Sequence, residues 1–163
     1  MRLLIVDDDP QVGRAIQGWL RDHGFRVRLA DSSASGLSAL DHFGVDLMIV
    51  DVLMPDLRAF ESIRLFHTQA PTVPLIAISG SVAPNASEAA WTRPPELAAR
   101  LGATRCLRKP FKPATLLDVI DECLSQAVQA RRNCVRERRD GLKPLQGGAC
   151  WKTASGRPRT AHG

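Results

Sequence analysis

Three carboxylates, one hydroxyl and one ammonium stand at the ends of short apolar runs in this chain. Asp7 and Asp8 follow Leu3-Leu4-Ile5-Val6, Asp51 follows the run from Val45 to Val50, Ser79 follows Pro74 to Ile78, and Lys109 stands just past Thr104 to Arg108. Three carboxylates in one pocket would repel each other and raise each other's pKa values. A hard divalent cation relieves that repulsion, and oxygen ligands with room for several waters suit Mg2+. Such a cation leaves one carboxylate oxygen free to act as a nucleophile on a phosphoryl group. The phosphoryl oxygens then need positive charge and a hydrogen-bond donor, which Lys109 and Ser79 supply.

This chemistry requires elements that bring the five groups together. The run Leu3 to Val6 suits a fully buried parallel strand. Asp9-Pro10 reads as a helix N-cap followed by proline at the first helical position. Val12, Ala15, Ile16, Trp19 and Leu20 recur at helical spacing, and Gly24 stops that helix. Phe25, Val27 and Leu29 alternate with Arg26 and Arg28, as in a half-exposed strand near a sheet edge. Asp31 or Ser32 caps a second helix bearing Ala34, Leu37 and Leu40, which ends at Gly44. A strand from Val45 to Val50 runs into Asp51, and a third helix covers Ala59 to Gln69. Pro74 to Ile78 is a buried strand, residues 80–95 form a loop, and Glu96 to Leu101 belongs to a fourth helix stopped by Gly102. Thr104 to Arg108 is a fifth strand. Leu116, Leu117, Val119, Ile120, Cys123, Leu124, Ala127 and Val128 mark a last amphipathic helix.

Five strands alternating with five helices specify an α/β fold with a doubly wound parallel sheet. In such sheets ligands bind in the crevice at the C-terminal strand ends. The five groups therefore converge on one edge.

Composition agrees with a soluble globular chain: of 163 residues, 44% are hydrophobic and 24% charged. No apolar stretch approaches the roughly 20 residues of a membrane helix. Asp7, Asp8 and Asp9 interrupt any signal-peptide core, so the expected compartment is the cytoplasm. The four cysteines form no CxxC pair, and the four histidines show no zinc spacing with them. The net charge of +5 is uneven. From Arg131 onward nine basic residues face two acidic ones, a balance of +7 that leaves −2 for residues 1–130. The chain thus reads as a body over residues 1–128 and a basic Gly- and Pro-containing tail over 129–163, a helix extension followed by disorder.

The segments LLIVDDDP (3–10), DLMIVDVLMPD (46–56), PLIAISGS (74–81) and CLRKPF (106–111) together resemble the receiver domain of two-component response regulators. The resemblance covers roughly residues 1–128 and implies a flavodoxin-like, CheY-like fold. It implies that Asp51 is the phosphoacceptor and that Asp8 ligates Mg2+ directly, Asp7 through water, with the backbone carbonyl of Leu53 as a further ligand. It makes Ser79 the family hydroxyl, Lys109 the phosphate-contacting lysine and Lys109–Pro110 the family's cis peptide. The implied partners are a sensor histidine kinase or phosphotransfer protein as donor and an output protein as reader. Such a domain is not an enzyme beyond its own phosphorylation and dephosphorylation.

The chain departs from the family pattern in four places. Cys106 stands where an aromatic switch residue is usual, and Ala59 where glycine is common. Leu53 and Ser81 occupy variable positions beside the phosphoryl group. The segment from Ser79 to Lys109 is longer than usual by roughly eight residues, an insertion in a loop that also carries Trp91.

Two rival readings stay open. One is a DNA-associated transcriptional regulator acting through the basic tail, although no reader motif or interleaved aromatics accompany the arginines. The other is a Mg2+-dependent phosphatase, which Val52-Leu53 after Asp51 disfavours because no second acid follows. Trp19 and Cys106 read as packing, and Asp56 as an exposed loop charge.

Overall fold

The structure is a computed structural model that describes residues 1–58, 60–80 and 94–139. Ala59, the loop residues 81–93 with Ser81 and Trp91, and the tail beyond Arg139 lie outside the described residues. Strands and helices alternate as β1 (Arg2–Val6), α1 (Pro10–Asp22), β2 (Arg26–Ala30), α2 (Ser33–Phe43), β3 (Leu47–Asp51), α3 (Glu61–Gln69), β4 (Leu75–Ser79), α4 (Pro94–Arg100), β5 (Arg105–Arg108) and α5 (Pro113–Arg139). All strand pairs are parallel, in the order β2-β1-β3-β4-β5. The chain moves outward from β1 to β2, then returns past β1 and continues the other way. That reversal opens a crevice between the ends of β1 and β3.

Register explains why the central strands read as continuous apolar runs. Leu3 to Val6 pair with Leu47 to Val50, and Met48 to Asp51 pair with Leu75 to Ile78. Successive side chains point to opposite faces, so each strand feeds two cores. Leu4, Val6, Met48, Val50, Leu75 and Ala77 join Ile63 and Phe66 of α3 on one face. Leu3, Ile5, Leu47, Ile49, Ile76 and Ile78 join Ile16 and Leu20 of α1, and Leu116, Ile120 and Cys123 of α5, on the other. Trp19 packs at the margin of this second core, its ring 4.5 Å from that of His23.

Local chemistry sets the element ends. Asp9 caps α1 by accepting from Gln11 and Val12 amides at 2.8 and 3.3 Å. Ser32, rather than Asp31, caps α2 in a capping box with Ser35. β3 starts at Leu47 instead of Val45, and Asp46 just before it is tied to Arg2 of β1, donating its amide to the Arg2 carbonyl and accepting the Arg2 amide at its carboxylate, each at 2.8 Å. α3 starts at Glu61 instead of Ala59, because the backbone of Phe60 is left-handed at φ 67°. The helix α5 continues through Arg139. The chain divides into a unit of residues 1–128 and a second of residues 129–163. Among the described residues no helix is long and apolar enough to cross a membrane.

Gly102 ends the α4 segment at φ 110°, where a Cβ would also overlap the His67 imidazole of α3. Both effects penalise a side chain, and backbone strain of this kind costs about 1–3 kcal/mol. Gly102→Ala is therefore expected to destabilise the fold by about 2 kcal/mol. A lower urea midpoint at unchanged m-value would show this; an unchanged midpoint would contradict it.

Candidate functional site

The crevice at the β1–β3 switch point holds the acidic groups. The Asp7 amide extends the β1–β2 ladder by one bond, to the Ala30 carbonyl at 3.1 Å. This carries Asp7 to the end of a buried strand, where its side chain is only 3% exposed. Asp8, the next residue, is exposed at the same strand end. Asp51 is the last residue of β3 and is 7% exposed. Ser79 is the last residue of β4 and is partly exposed. The Lys109 amide donates to the Ser79 carbonyl at 2.7 Å, so the turn after β5 is registered on the end of β4. The Lys109–Pro110 peptide is cis.

Lys109 reaches back across the sheet. Its Nζ donates to Asp7 Oδ2 and to Asp51 Oδ2, each at 2.7 Å. The remaining oxygens have other donors: Asp7 Oδ1 accepts from the Asp9 amide at 3.0 Å, and Asp51 Oδ1 from the Leu53 amide at 2.7 Å. Burial drives the Asp7 carboxyl above the usual carboxylate range. The Lys109 ammonium and the Asp9 amide pull it back, and the Asp51 charge pushes it further up. Burial works against the Lys109 charge too, yet hydrogen bonds and attraction from Asp51 and Asp7 hold its pKa above the ordinary lysine value.

One ammonium does not neutralise three carboxylates. Oxygens of Asp7, Asp8 and Asp51 all lie within 4.8 Å of one another. This is an oxygen-only donor set with excess negative charge and one exposed member open to solvent. It fits a hard divalent cation that keeps part of its water shell, as Mg2+ does.

The other anticipated residues are placed as follows. The Ser79 hydroxyl donates to the Gly80 carbonyl at 3.2 Å, not to Asp51. The Leu53 side chain is 37% exposed. Cys106 pairs with Ala77 across the β4–β5 ladder, and burial raises its thiol pKa, which disfavours a reactive thiolate. Two contacts have no counterpart in the sequence reading. Ser62 of α3 is fully buried, and its hydroxyl donates to the Asp51 carbonyl at 3.1 Å. Asp56 is exposed but not idle: it accepts from the Ser33 amide at 3.0 Å and from the Ser33 hydroxyl at 2.5 Å, tying the loop after β3 to the start of α2. The signal for Ser62 was its spacing four residues before Phe66, on the face of α3 that enters the core.

Residues 3–121 match the response regulator receiver domain, and the chain belongs to that family. It is 30% identical over 139 residues to the transcriptional activator protein PfeR of Pseudomonas aeruginosa, covering 85% of this chain and 42% of PfeR. It is 28% identical over 124 residues to the protein PilH of the same organism, covering 76% of this chain and 98% of PilH. The chain thus spans less than half the length of one relative and nearly all of the other. A CheY-like receiver domain from Methanospirillum hungatei superposes with a TM-score of 0.68 at 26% identity, over 79% of this chain and 97% of that one. NtrX from Brucella abortus gives a TM-score of 0.72 at 26% identity, over 87% of this chain and 30% of NtrX. The family is one of signalling domains rather than metabolic enzymes.

The raised Asp7 carboxyl gives a stability test. Its folded pKa lies above the ordinary 3.8, so the folded state holds that proton more tightly than the unfolded chain. The stabilisation is full below 3.8 and is lost as pH rises through the folded value. With metal chelated at neutral pH, Asp7→Asn is expected to exceed the wild type in stability. Added Mg2+ should reverse the order by stabilising the wild type more. Urea titrations in chelator and in Mg2+ read both. A wild type that is the more stable protein in chelator would contradict the dominance of burial.

Proposed function

We propose that this chain is a phosphoacceptor receiver. Asp51 takes a phosphoryl group from a phosphohistidine on a sensor histidine kinase or phosphotransfer protein, and the phosphorylated form binds an output protein. The observation that carries this reading is the Lys109 ammonium held at 2.7 Å from both Asp51 and Asp7 at a strand-end crevice. It puts a fixed positive charge beside Asp51, which is nearly buried and has a donor on each carboxylate oxygen.

In the transfer, an Asp51 carboxylate oxygen attacks phosphorus, the phosphorus–nitrogen bond to the imidazole breaks, and an acyl phosphate forms. The imidazole nitrogen recovers its electron pair and is protonated by solvent. Asp7, Asp8, Asp51 and the Leu53 carbonyl would hold Mg2+, which when bound offsets the charge of the phosphoryl oxygens. Lys109 needs to exchange a carboxylate oxygen for a phosphoryl oxygen. The Ser79 hydroxyl needs to turn from the Gly80 carbonyl, 3.2 Å away, toward the same group. Both residues sit where β4 meets β5, so the exchange biases the α4–β5–α5 face that an output partner would read.

Intact-protein mass after incubation with acetyl phosphate and Mg2+ tests this reading. One phosphoryl adduct is expected, and it should vanish in Asp51→Asn and in chelator. An adduct that survives Asp51→Asn would place the acceptor elsewhere. The alternative, a DNA regulator using the basic tail over 129–163, would instead show steeply salt-dependent DNA affinity lost on deleting residues 131–163.

The acyl phosphate should also be long-lived. Leu53 is exposed beside Asp51 and has no side-chain group to orient an attacking water. Leu53→Asn is expected to speed loss of the adduct roughly fivefold to tenfold, the worth of one hydrogen bond of about 1 kcal/mol. An unchanged half-life would refute this.

A further inference from the structure

We infer that Ser62 is a positioning residue for the phosphoacceptor: through the Asp51 carbonyl, its buried hydroxyl sets the geometry that holds the Asp51 carboxylate. The inference rests on Asp51 being the acceptor. Ser62 is 0% exposed, on a helix face it shares with the fully buried Ile63 and Phe66. A hydroxyl at such a position is costly unless it is hydrogen-bonded. Its bond goes to the Asp51 carbonyl at 3.1 Å, across eleven residues of chain.

That carbonyl lies where the sheet gives way to the loop. Asp51 is the last β3 residue paired with β4, and the Val52 amide makes the next bond, to the Ile78 carbonyl at 2.8 Å. The peptide between Asp51 and Val52 is therefore held from two sides, its N–H by β4 and its C=O by Ser62 of α3. The next amide along, that of Leu53, donates to Asp51 Oδ1 at 2.7 Å. Its direction is set by the plane of the peptide before it together with the two soft dihedrals of Val52. A fixed 51–52 peptide aims the Leu53 amide at Oδ1 and leaves Oδ2 to Lys109. With the Ser62 bond removed, that peptide can rock, and both donors to the carboxylate lose alignment.

The test compares three variants of the full chain. Ser62→Ala removes the hydroxyl. Ser62→Cys keeps a side chain of similar shape with a weaker donor. Ile120→Val removes one buried methylene from α5 on the opposite face of the sheet and touches nothing at the site. Phosphorylation by acetyl phosphate in Mg2+ is timed by intact mass. The Leu53 amide proton shift, read by NMR without phosphodonor, reports its bond to Asp51. Ser62→Ala is expected to slow phosphorylation about fivefold or more and to move the Leu53 amide, with Ser62→Cys between it and the wild type. Ile120→Val should stay within about twofold with the amide in place. A rate for Ser62→Ala within twofold of the wild type, or a loss that Ile120→Val shares, would overturn the inference. If Ser62→Ala does not fold, Ser62→Cys against Ile120→Val decides. If the wild type takes no phosphoryl group, the acceptor reading fails by itself, and the Leu53 amide decides whether Ser62 positions Asp51.

Discussion

A single ammonium between two nearly buried carboxylates organises this molecule. Removing Asp7 and Asp51 from water would raise the energy of both anions, and close approach would raise it further. Lys109 offsets part of this by donating to each at 2.7 Å. The rest of the architecture follows from that requirement. The ends of β1 and β3 need to be neighbours, which the reversal in strand order achieves. The turn after β5 needs to return over β4, which its backbone bond to Ser79 achieves. The charge left over after Lys109 is what makes a divalent cation a natural complement rather than an addition.

The proposed phosphoacceptor chemistry suits a site that is supported but not satisfied. Asp51 has a donor on each oxygen and is held in place. Asp8 is exposed and keeps the crevice open to water, metal and a phosphodonor. Ser79 rests on a neighbouring carbonyl, one side-chain rotation from new work. Electrostatic preorganisation of this kind needs few groups, because phosphoryl transfer asks mainly for position and charge.

Much of this was legible in the sequence, for identifiable reasons. Strands buried on both faces print themselves as apolar runs, so β1, β3 and β4 and the groups after them could be read directly. The Asp9-Pro10 cap and the stop at Gly44 are local signals, and all three residues act as read. The start of α3 was not legible, because Phe60 adopts a left-handed backbone that glycine or asparagine would ordinarily announce. The length of α5 beyond Val128 rests on the helix propensity of Gln, Ala and Arg rather than on an apolar stripe. Among the site residues, those just past strand ends were found. Ser62 and Asp56 were not, because one lies inside a helix and the other in a loop, where no strand end marks the point of convergence. A serine gives no sign of such a partner until the helix is packed.

The sequence distances behind the Lys109 bridge bear on how the protein is born. Lys109 meets Asp51 across 58 residues and Asp7 across 102. Contacts of that span form only once most of the chain is available to be ordered. A growing polypeptide that has emerged through β4 already carries Asp7, Asp8, Asp51 and Ser79, but not the lysine that makes their proximity tolerable. The acidic edge therefore opposes its own closure until β5 arrives. A chain broken before that point carries every acid of the site without its cation, so an assembled Lys109 bridge also certifies a complete sheet.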